Sequence, residues 1–113
     1  MNFFPAEIAG GGIRLADGTV IPAPGQARAS EGKRVTLGIR PEDFAIAPEG
    51  PIHARVKVVE PTGADTIIAA EVGGIEAAIL VRERITAAAG EEIRLAVAPE
   101  DTRLFDPETG AAI

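Results

Sequence analysis

The sequence predicts an all-β barrel built from two interleaved copies of one strand pattern. Three observations carry this reading. Apolar and polar residues alternate with a period of two along several short runs, the signature of strands with one buried face. Thirteen glycines and nine prolines punctuate the 113 residues, so no helical periodicity lasts beyond about two turns. The chain also aligns with itself at an offset of 58 residues, which places Pro41 on Pro99 and Leu37 on Leu95.

Taken in order, Ile13-Arg14-Leu15 turns through Asp17-Gly18 into Thr19-Val20-Ile21. The run Gly10-Gly11-Gly12 ahead of it reads as a flexible lead-in, because no helix follows that could aim its N-terminus at a phosphate. The stretch from Pro22 to Gly32 is rich in Pro, Ala and Gly and reads as a surface connection. Val35, Leu37 and Ile39 then alternate with Thr36, Gly38 and Arg40. Ile52, Ala54, Val56 and Val58 alternate with His53, Arg55, Lys57 and Val59. Gly73-Gly74 joins a strand over 66–72 to one over 75–81. Both this pair and Asp17-Gly18 suit the positive φ of tight primed turns. The segment from Arg82 to Ala89 is the best helical candidate, and Ile93, Leu95 and Val97 form the last clear alternation.

The repeat explains why such a chain would fold. Val35, Leu37 and Ile39 fall on Ile93, Leu95 and Val97, and Pro41-Glu42-Asp43 falls on Pro99-Glu100-Asp101. Each copy closes on a second Pro-Glu turn, at Pro48-Glu49 and Pro107-Glu108. One copy has too few strands to close a barrel, whereas two can bury a common core. We therefore expect one domain over 1–113, with halves of about 1–50 and 51–113. In the Pro-Glu-Asp turns, proline fixes φ and the aspartate is expected to bond a nearby backbone N–H.

Composition narrows the function. A chain of this size buries roughly 65% of the surface its unfolded form exposes, enough for a core without disulfide or metal staples. It has no cysteine, so neither a disulfide nor a zinc-thiolate site is available, which fits a reducing compartment. The opening Met1-Asn2-Phe3-Phe4-Pro5 lacks the basic and apolar regions of a signal peptide, and no run approaches the ~20 apolar residues that span a bilayer. A cytoplasmic protein without membrane insertion is expected. The net charge of −6 argues against nucleic acid and against an anionic membrane surface.

A search for chemistry finds no catalytic set, cofactor site or metal site. Gly32-Lys33 fails as a phosphate-binding loop twice: Ala27 stands where the earlier glycine belongs, and Arg34 where Ser or Thr belongs. His53 is the single histidine and reads as a solvated strand residue. The acidic pairs Glu42-Asp43, Glu91-Glu92 and Glu100-Asp101 read as turn formers. Arg40 has Ala98 as its counterpart in the second copy, so the fold unit does not need it; a local ion pair with Glu42 is expected.

Several segments resemble one known family. Gly38-Ile39-Arg40-Pro41-Glu42 resembles the "GIRPE" signature in the C-terminal region of importer ATPases of the maltose and glycerol-phosphate type. Val58-Val59-Glu60-Pro61-Thr62-Gly63-Ala64-Asp65-Thr66 is similar to the family's "VVE-x-LG-x-E-T". Arg103-Leu104-Phe105-Asp106 with Thr109-Gly110 resembles its "HLFD…TG", and the first five residues resemble the "MNFLP" at which such chains leave the ATPase domain. Thr62, Asp65 and Arg103 depart from the family's Leu, Glu or Ser, and His. The resemblance implies an accessory, OB-like barrel of the TOBE type, excised from an ATPase whose catalytic domain, with its ATP and Mg, is not in this chain. It implies contacts with that ATPase domain, with the second ATPase subunit across the dimer axis, and with a regulatory protein. It also implies a location peripheral to the inner membrane through the transporter complex. Contact segments expected on this basis are Arg40, Glu42 and Asp43, and Glu60, Thr62, Gly63, Asp65 and Thr66. The alternative is a free-standing oxyanion-binding module of the molybdate-pocket kind. It would use backbone N–H, Ser, Thr and Lys donors; the chain's single Ser (Ser30) and two Lys (Lys33, Lys57) count against it. A nucleic-acid OB domain would need stacking aromatics on a basic strand face, and four Phe with net negative charge do not supply one.

Overall fold

Strand pairing follows the alternation, and the sheets follow from where the Pro-Glu-Asp turns send the chain. The computed structural model describes residues 1–24, 31–83 and 85–113. Its strands are β1 (Asn2–Ala9), β2 (Gly12–Leu15), β3 (Val20–Pro22), β4 (Arg34–Ile39), β5 (Ala45–Ile46), β6 (Ile52–Pro61), β7 (Thr66–Val72), β8 (Ile75–Val81), β9 (Glu92–Ala96) and β10 (Thr102–Phe105). Short 3₁₀ turns at Pro41–Asp43 and Pro99–Asp101 interrupt them. The strands form two antiparallel five-stranded sheets, ordered β10-β4-β1-β2-β3 and β5-β9-β6-β7-β8. Among the described residues no helix is long and apolar enough to cross a membrane.

The two orders are the same order with one exchange. Each sheet holds four strands of its own half and, at one edge, the fifth strand of the other half. The interleaving is thus a swap: β5 leaves the first half to pair with β9, and β10 returns from the second half to pair with β4. Arg40 and Ala98 stand before proline and are extended, with ψ of 148° and 140°. Clash with the proline ring keeps a preceding residue out of the helical region. Proline then opens each 3₁₀ turn, where its missing N–H costs nothing. The turns close through backbone bonds, Asp43 N–H to the Arg40 carbonyl at 3.0 Å and Asp101 N–H to the Ala98 carbonyl at 2.9 Å. Neither turn has a side-chain cap, so the aspartates do not play the bonding part expected of them.

The core lies between the inner faces of the two curled sheets. Leu37 and Leu95, repeat equivalents, are both fully buried. Leu37 is flanked in register by Phe4 and Leu104, and Leu95 by Ile52 and Ile46. Each therefore packs between a strand of its own half and a strand of the other. One gap between the sheets is bridged by a side chain. Asn2 Nδ2 donates to the Ala78 carbonyl (2.8 Å), and Ala78 N–H donates to Asn2 Oδ1 (2.9 Å). The carboxamide presents a donor and an acceptor in one plane, and so stands in for the backbone of a neighbouring strand against the edge of β8.

Four expectations change. Gly10-Gly11 is not a flexible lead-in but the two-residue turn of the β1–β2 hairpin; both have positive φ, 61° and 77°, as a type I′ turn requires. Asp17-Gly18 is not a two-residue primed turn. Only Gly18 has positive φ, and Leu15 bonds both Gly18 and Thr19, giving a three-residue loop ending on a glycine bulge. Gly73-Gly74 is the primed turn predicted. Val58 does not join the core. A bulge at Lys57 turns the strand over, so Val58 is 49% exposed and Val59 packs inward instead. The segment from Arg82 to Ala89 is not helical in its described residues: Ile85 and Ala87 pack against the core with Thr86 exposed between them, a period of two. Arg84, and residues 25–30 of the expected surface connection, lie outside the described residues.

Gly50 sits under the crossing. A Cβ there would collide with the carbonyl group of Leu95, while its own carbonyl accepts from Arg94 Nε at 2.8 Å. Gly50→Ala must push β9 aside, and overpacking of this kind costs about 1–3 kcal/mol. Urea unfolding should show the midpoint falling at unchanged slope.

Candidate functional site

The two segments singled out in the sequence lie far apart along the chain, and the fold brings them to one end of the barrel. The first is the Arg40–Asp43 turn. Arg40 and Glu42 are exposed and Asp43 is partly buried. This turn packs on β8. Arg40 does not form the expected ion pair with Glu42: the Arg–carboxylate pair among the described residues is Arg14–Glu7. Arg40 stands exposed ahead of Pro41. His53 is exposed as expected, but its Nδ1 lies 2.7 Å from Glu92 Oε1 across β6 and β9. Among the described residues no cluster of His, Asp and Glu is placed to hold a metal.

The second segment is the tip joining β6 to β7. Glu60, Thr62 and Gly63 are exposed and Asp65 is partly buried. The tip is closed by Thr62, whose N–H and Oγ1 both donate to the Asp65 carbonyl, at 2.8 and 3.2 Å. Gly63 has a φ of 95°, open to glycine alone at no strain, so the tip tolerates no Cβ there cheaply. Thr66 differs from its neighbours. It is 1% exposed and donates to the Glu83 carbonyl at 2.8 Å. Its side chain fastens the tip to the end of β8 and is withdrawn from any contact surface, a correction to its expected role.

Glu83 thereby ties the segments together. A shallow cleft of about 330 Å³ beside the first turn is lined by Glu42, Phe44, Leu80, Arg82 and Glu83. The end of the barrel that carries both segments thus presents Glu42, Asp43, Glu60, Asp65 and Glu83 against Arg40 and Arg82. It suits a partner that brings basic groups.

Sequence reasoning missed a larger cleft of about 870 Å³ on the outer side of β1 and β4, lined by Phe3, Pro5, Lys33, Arg34, Asp106 and Glu108 among others. Residues 33–34 and 106–108 meet only because β10 crosses to β4, and nothing local in the sequence signals that. Phe3 and Phe105 meet edge to face there with centroids 5.9 Å apart. Gly38 lies beneath them, and a Cβ on it would stand 2.6 Å from Met1 Sδ and 3.0 Å from the Phe105 ring. Asp106 begins the closing turn. Its Oδ1 accepts from the backbone N–H groups of Glu108 (2.8 Å) and Thr109 (3.2 Å). These bonds, with a smaller contribution from Lys33, hold its carboxyl below the usual carboxylate range.

Comparison with known proteins identifies the family. Residues 37–105 match the TOBE domain family and residues 1–44 the MalK OB fold domain family. An ABC transporter ATP-binding protein, y4oS of Sinorhizobium fredii, is 40% identical over the whole chain, which covers 31% of that protein. The sn-glycerol-3-phosphate import ATP-binding protein UgpC of a Ruegeria species is 36% identical over the whole chain, covering 32% of it. The sulfoquinovosyl glycerol transport ATP-binding protein SmoE of Agrobacterium fabrum is 32% identical, again over the whole chain and 33% of its own length. The chain therefore spans about a third of the curated relatives it matches. Among solved structures, the cytoplasmic molybdate-binding protein ModG superposes with a TM-score of 0.71 over 94% of this chain and 96% of that one, at 16% identity, which is a likeness of fold.

Two measurements check the site's construction. Thr66→Val should leave the Glu83 carbonyl unpaired and cost about 1–3 kcal/mol in urea unfolding, whereas Thr62→Ala on the exposed tip should cost well under that. Because the Asp106 pKa is lowered on folding, its contribution to stability is complete above the unfolded value of about 3.9 and is lost as pH falls through the folded value. Asp106→Asn should accordingly flatten the acid limb of the stability profile below that pH and leave the neutral region parallel to wild type.

Proposed function

The chain belongs to the TOBE domain family, and from that membership we propose that it is the accessory barrel of the ATP-binding subunit of a solute importer. The observation that carries the reading is the alignment of this entire chain with the C-terminal third of ATP-binding proteins, among them ones named for glycerol-3-phosphate and sulfoquinovosyl glycerol. The solute class is then a carbohydrate or a related polyol phosphate. ATP and Mg are held by the remainder of the subunit, outside this chain. The barrel sits at the cytoplasmic face of the membrane through the complex.

The barrel contributes rigidity and a contact surface rather than chemistry. Each sheet is completed by a strand of the other half, so the two halves are joined through both sheets. Arg40, Glu42 and Asp43 in the turn, with Glu60, Thr62, Gly63 and Asp65 at the tip, form the surface that meets the subunit's own ATPase domain, its second copy or a regulatory protein. The acidic balance of that surface steers a basic partner and sets register more than raw affinity.

The experiment uses the ATP-binding subunit that carries this barrel, assembled with its membrane subunits. Glu60→Lys and Asp65→Lys should lower solute-coupled ATP hydrolysis on the order of fivefold, the scale of an ordinary coupling energy. The barrel's unfolding midpoint should stay unchanged, and Glu49→Lys, at a distant turn, should alter neither. Normal coupling in both reversal variants would show the contacts to be misplaced. Full transport by a subunit lacking the residues matched to this chain would overturn the accessory role itself.

A further inference from the structure

The large cleft over β1 and β4 gathers polar groups that the fold leaves unpaired. Its volume of about 870 Å³ lies within the ~300–1,000 Å³ usual for small-molecule sites. One wall comes from the start of β4. Lys33 and Arg34 are exposed, and neither joins an ion pair among the described residues. Glu7 stands opposite Arg34 in register but is already taken by Arg14. The peptide group of Arg34 is open as well. The Lys33 carbonyl accepts from Ile8 N–H on the β1 side, so the next residue, Arg34, turns its N–H and C=O towards the β10 side. β10 ends at Phe105, opposite Thr36, and the chain turns away at Asp106, whose N–H donates to the Ala111 carbonyl. No strand therefore reaches Arg34 from that side. The facing wall is this same turn. Asp106 Oδ1 is spent on the Glu108 and Thr109 N–H groups, while Oδ2 accepts from none of the described residues. Lys33 is near enough to favour the Asp106 charge, yet no ion pair closes between them. Phe3 and Pro5 line the cleft too; Phe3 is 53% exposed and is held edge to face by Phe105. The smaller cleft beside β2, of about 260 Å³, differs in that its charged groups Arg14 and Glu7 satisfy each other.

We propose that this cleft binds a phosphorylated sugar or polyol, with its phosphate at Lys33 and Arg34 and its hydroxyls at Asp106 and Glu108. Three donors gather at the first end: the Lys33 ammonium, the Arg34 guanidinium fork and the Arg34 backbone N–H. Charge-assisted bonds from such a set match the three acceptor oxygens of a phosphate monoester. A carboxylate ligand offers only two oxygens to the same donors. At the second end, ionised carboxylates accept and cannot donate, so they take hydroxyl groups and repel a second anion. Phe3 and Pro5 give the C–H face of the ligand an apolar surface between the two ends, the usual division of labour in a small-molecule site. Inorganic phosphate would use one end alone, and an uncharged sugar the other. Arg34 begins β4 and Arg40 follows its last residue, so the cleft and the acidic contact surface lie at opposite ends of that strand. The site does not rest on the accessory role and adds a ligand to it.

Isothermal titration calorimetry of the 113-residue chain with glucose 6-phosphate tests it, together with NMR mapping of amide shifts. Saturable binding with Kd on the order of 1 mM or below is expected, with shifts centred on residues 33–36 and 106–109. Inorganic phosphate and glucose should each bind on the order of tenfold more weakly or worse. Lys33→Met and Arg34→Met should each weaken glucose 6-phosphate binding on the order of tenfold, the scale of one charge-assisted bond. Both side chains are exposed, so thermal midpoints should stay at the wild-type value. Asp106→Asn keeps an oxygen for the turn and replaces the free acceptor by a donor, so it should narrow the preference for glucose 6-phosphate over inorganic phosphate. Arg55→Ala, on the other sheet, should change nothing. Absence of saturable binding overturns the proposal. So does inorganic phosphate binding as tightly as glucose 6-phosphate, undiminished affinity in the Lys33→Met, Arg34→Met double variant, or shifts centred outside the cleft. None of these readings involves the ATPase or transport, so a failure here is told apart from a failure of the accessory role.

Discussion

The fold depends on one event that occurs twice: the chain leaves its own sheet through a Pro-Glu-Asp turn and completes the other. Everything else is local hairpin geometry. β4 and β9 are the strands that feel the exchange, since each is held on one side by its own half and on the other by the visitor. Leu37 and Leu95 sit at the centre of those contacts with no exposure. Leu37 packs beside Leu104 and Leu95 beside Ile46, so the burial of each is shared with the strand it receives. Short strands gain most from this. β5 has two residues and β10 four, lengths that could not hold a place in a sheet unless the turn delivered them to a preformed edge.

That event also decides which features could be read from the amino-acid sequence. The repeat was legible because proline, glutamate and aspartate recur in the same places, and it predicted interleaving correctly. The Gly73-Gly74 turn located β7 and β8, and alternation located β4, the start of β6, and β9. It failed where a single residue changes the period. Lys57 carries no mark distinguishing it from Arg55, yet the bulge there reverses every inward and outward assignment that follows. Three glycines in a row suggest slack, yet Gly10 and Gly11 are the positive-φ corner of a hairpin. The Arg82–Ala89 segment has helix-favouring composition, and Ile85 and Ala87 override it by reaching for the core from an extended backbone. In the candidate site, the two segments are singled out by resemblance, but nothing in the sequence places both beside Glu83, and the burial of Thr66 becomes visible only once its hydroxyl has a carbonyl to serve.

The same logic accounts for a scaffold with little aromatic material. With four Phe and no Trp or Tyr, the inner faces rely on β-branched and Leu side chains in short registers. Glycine then carries unusual weight. Gly50 lets β9 pass close against the chain that leads into β6, and Gly38 leaves a recess on the outer surface that Phe3, Phe105 and Met1 fill. Both act by having no side chain in places where neighbouring groups have already taken the volume.

The amide of Asn2 has a bearing on solubility that its two hydrogen bonds do not at first suggest. The outer rim of β8 is a row of backbone groups of the sort that recruits foreign strands into fibrils. Asn2 engages one N–H and one C=O at mid-strand, at Ala78, and so breaks that row into pieces too short to template a neighbour. Aspartate could not do this, since it lacks the donor, and leucine lacks both groups. Asn2 therefore acts as a gatekeeper for a strand 76 positions away, one side chain doing for that rim what a whole covering strand would otherwise do.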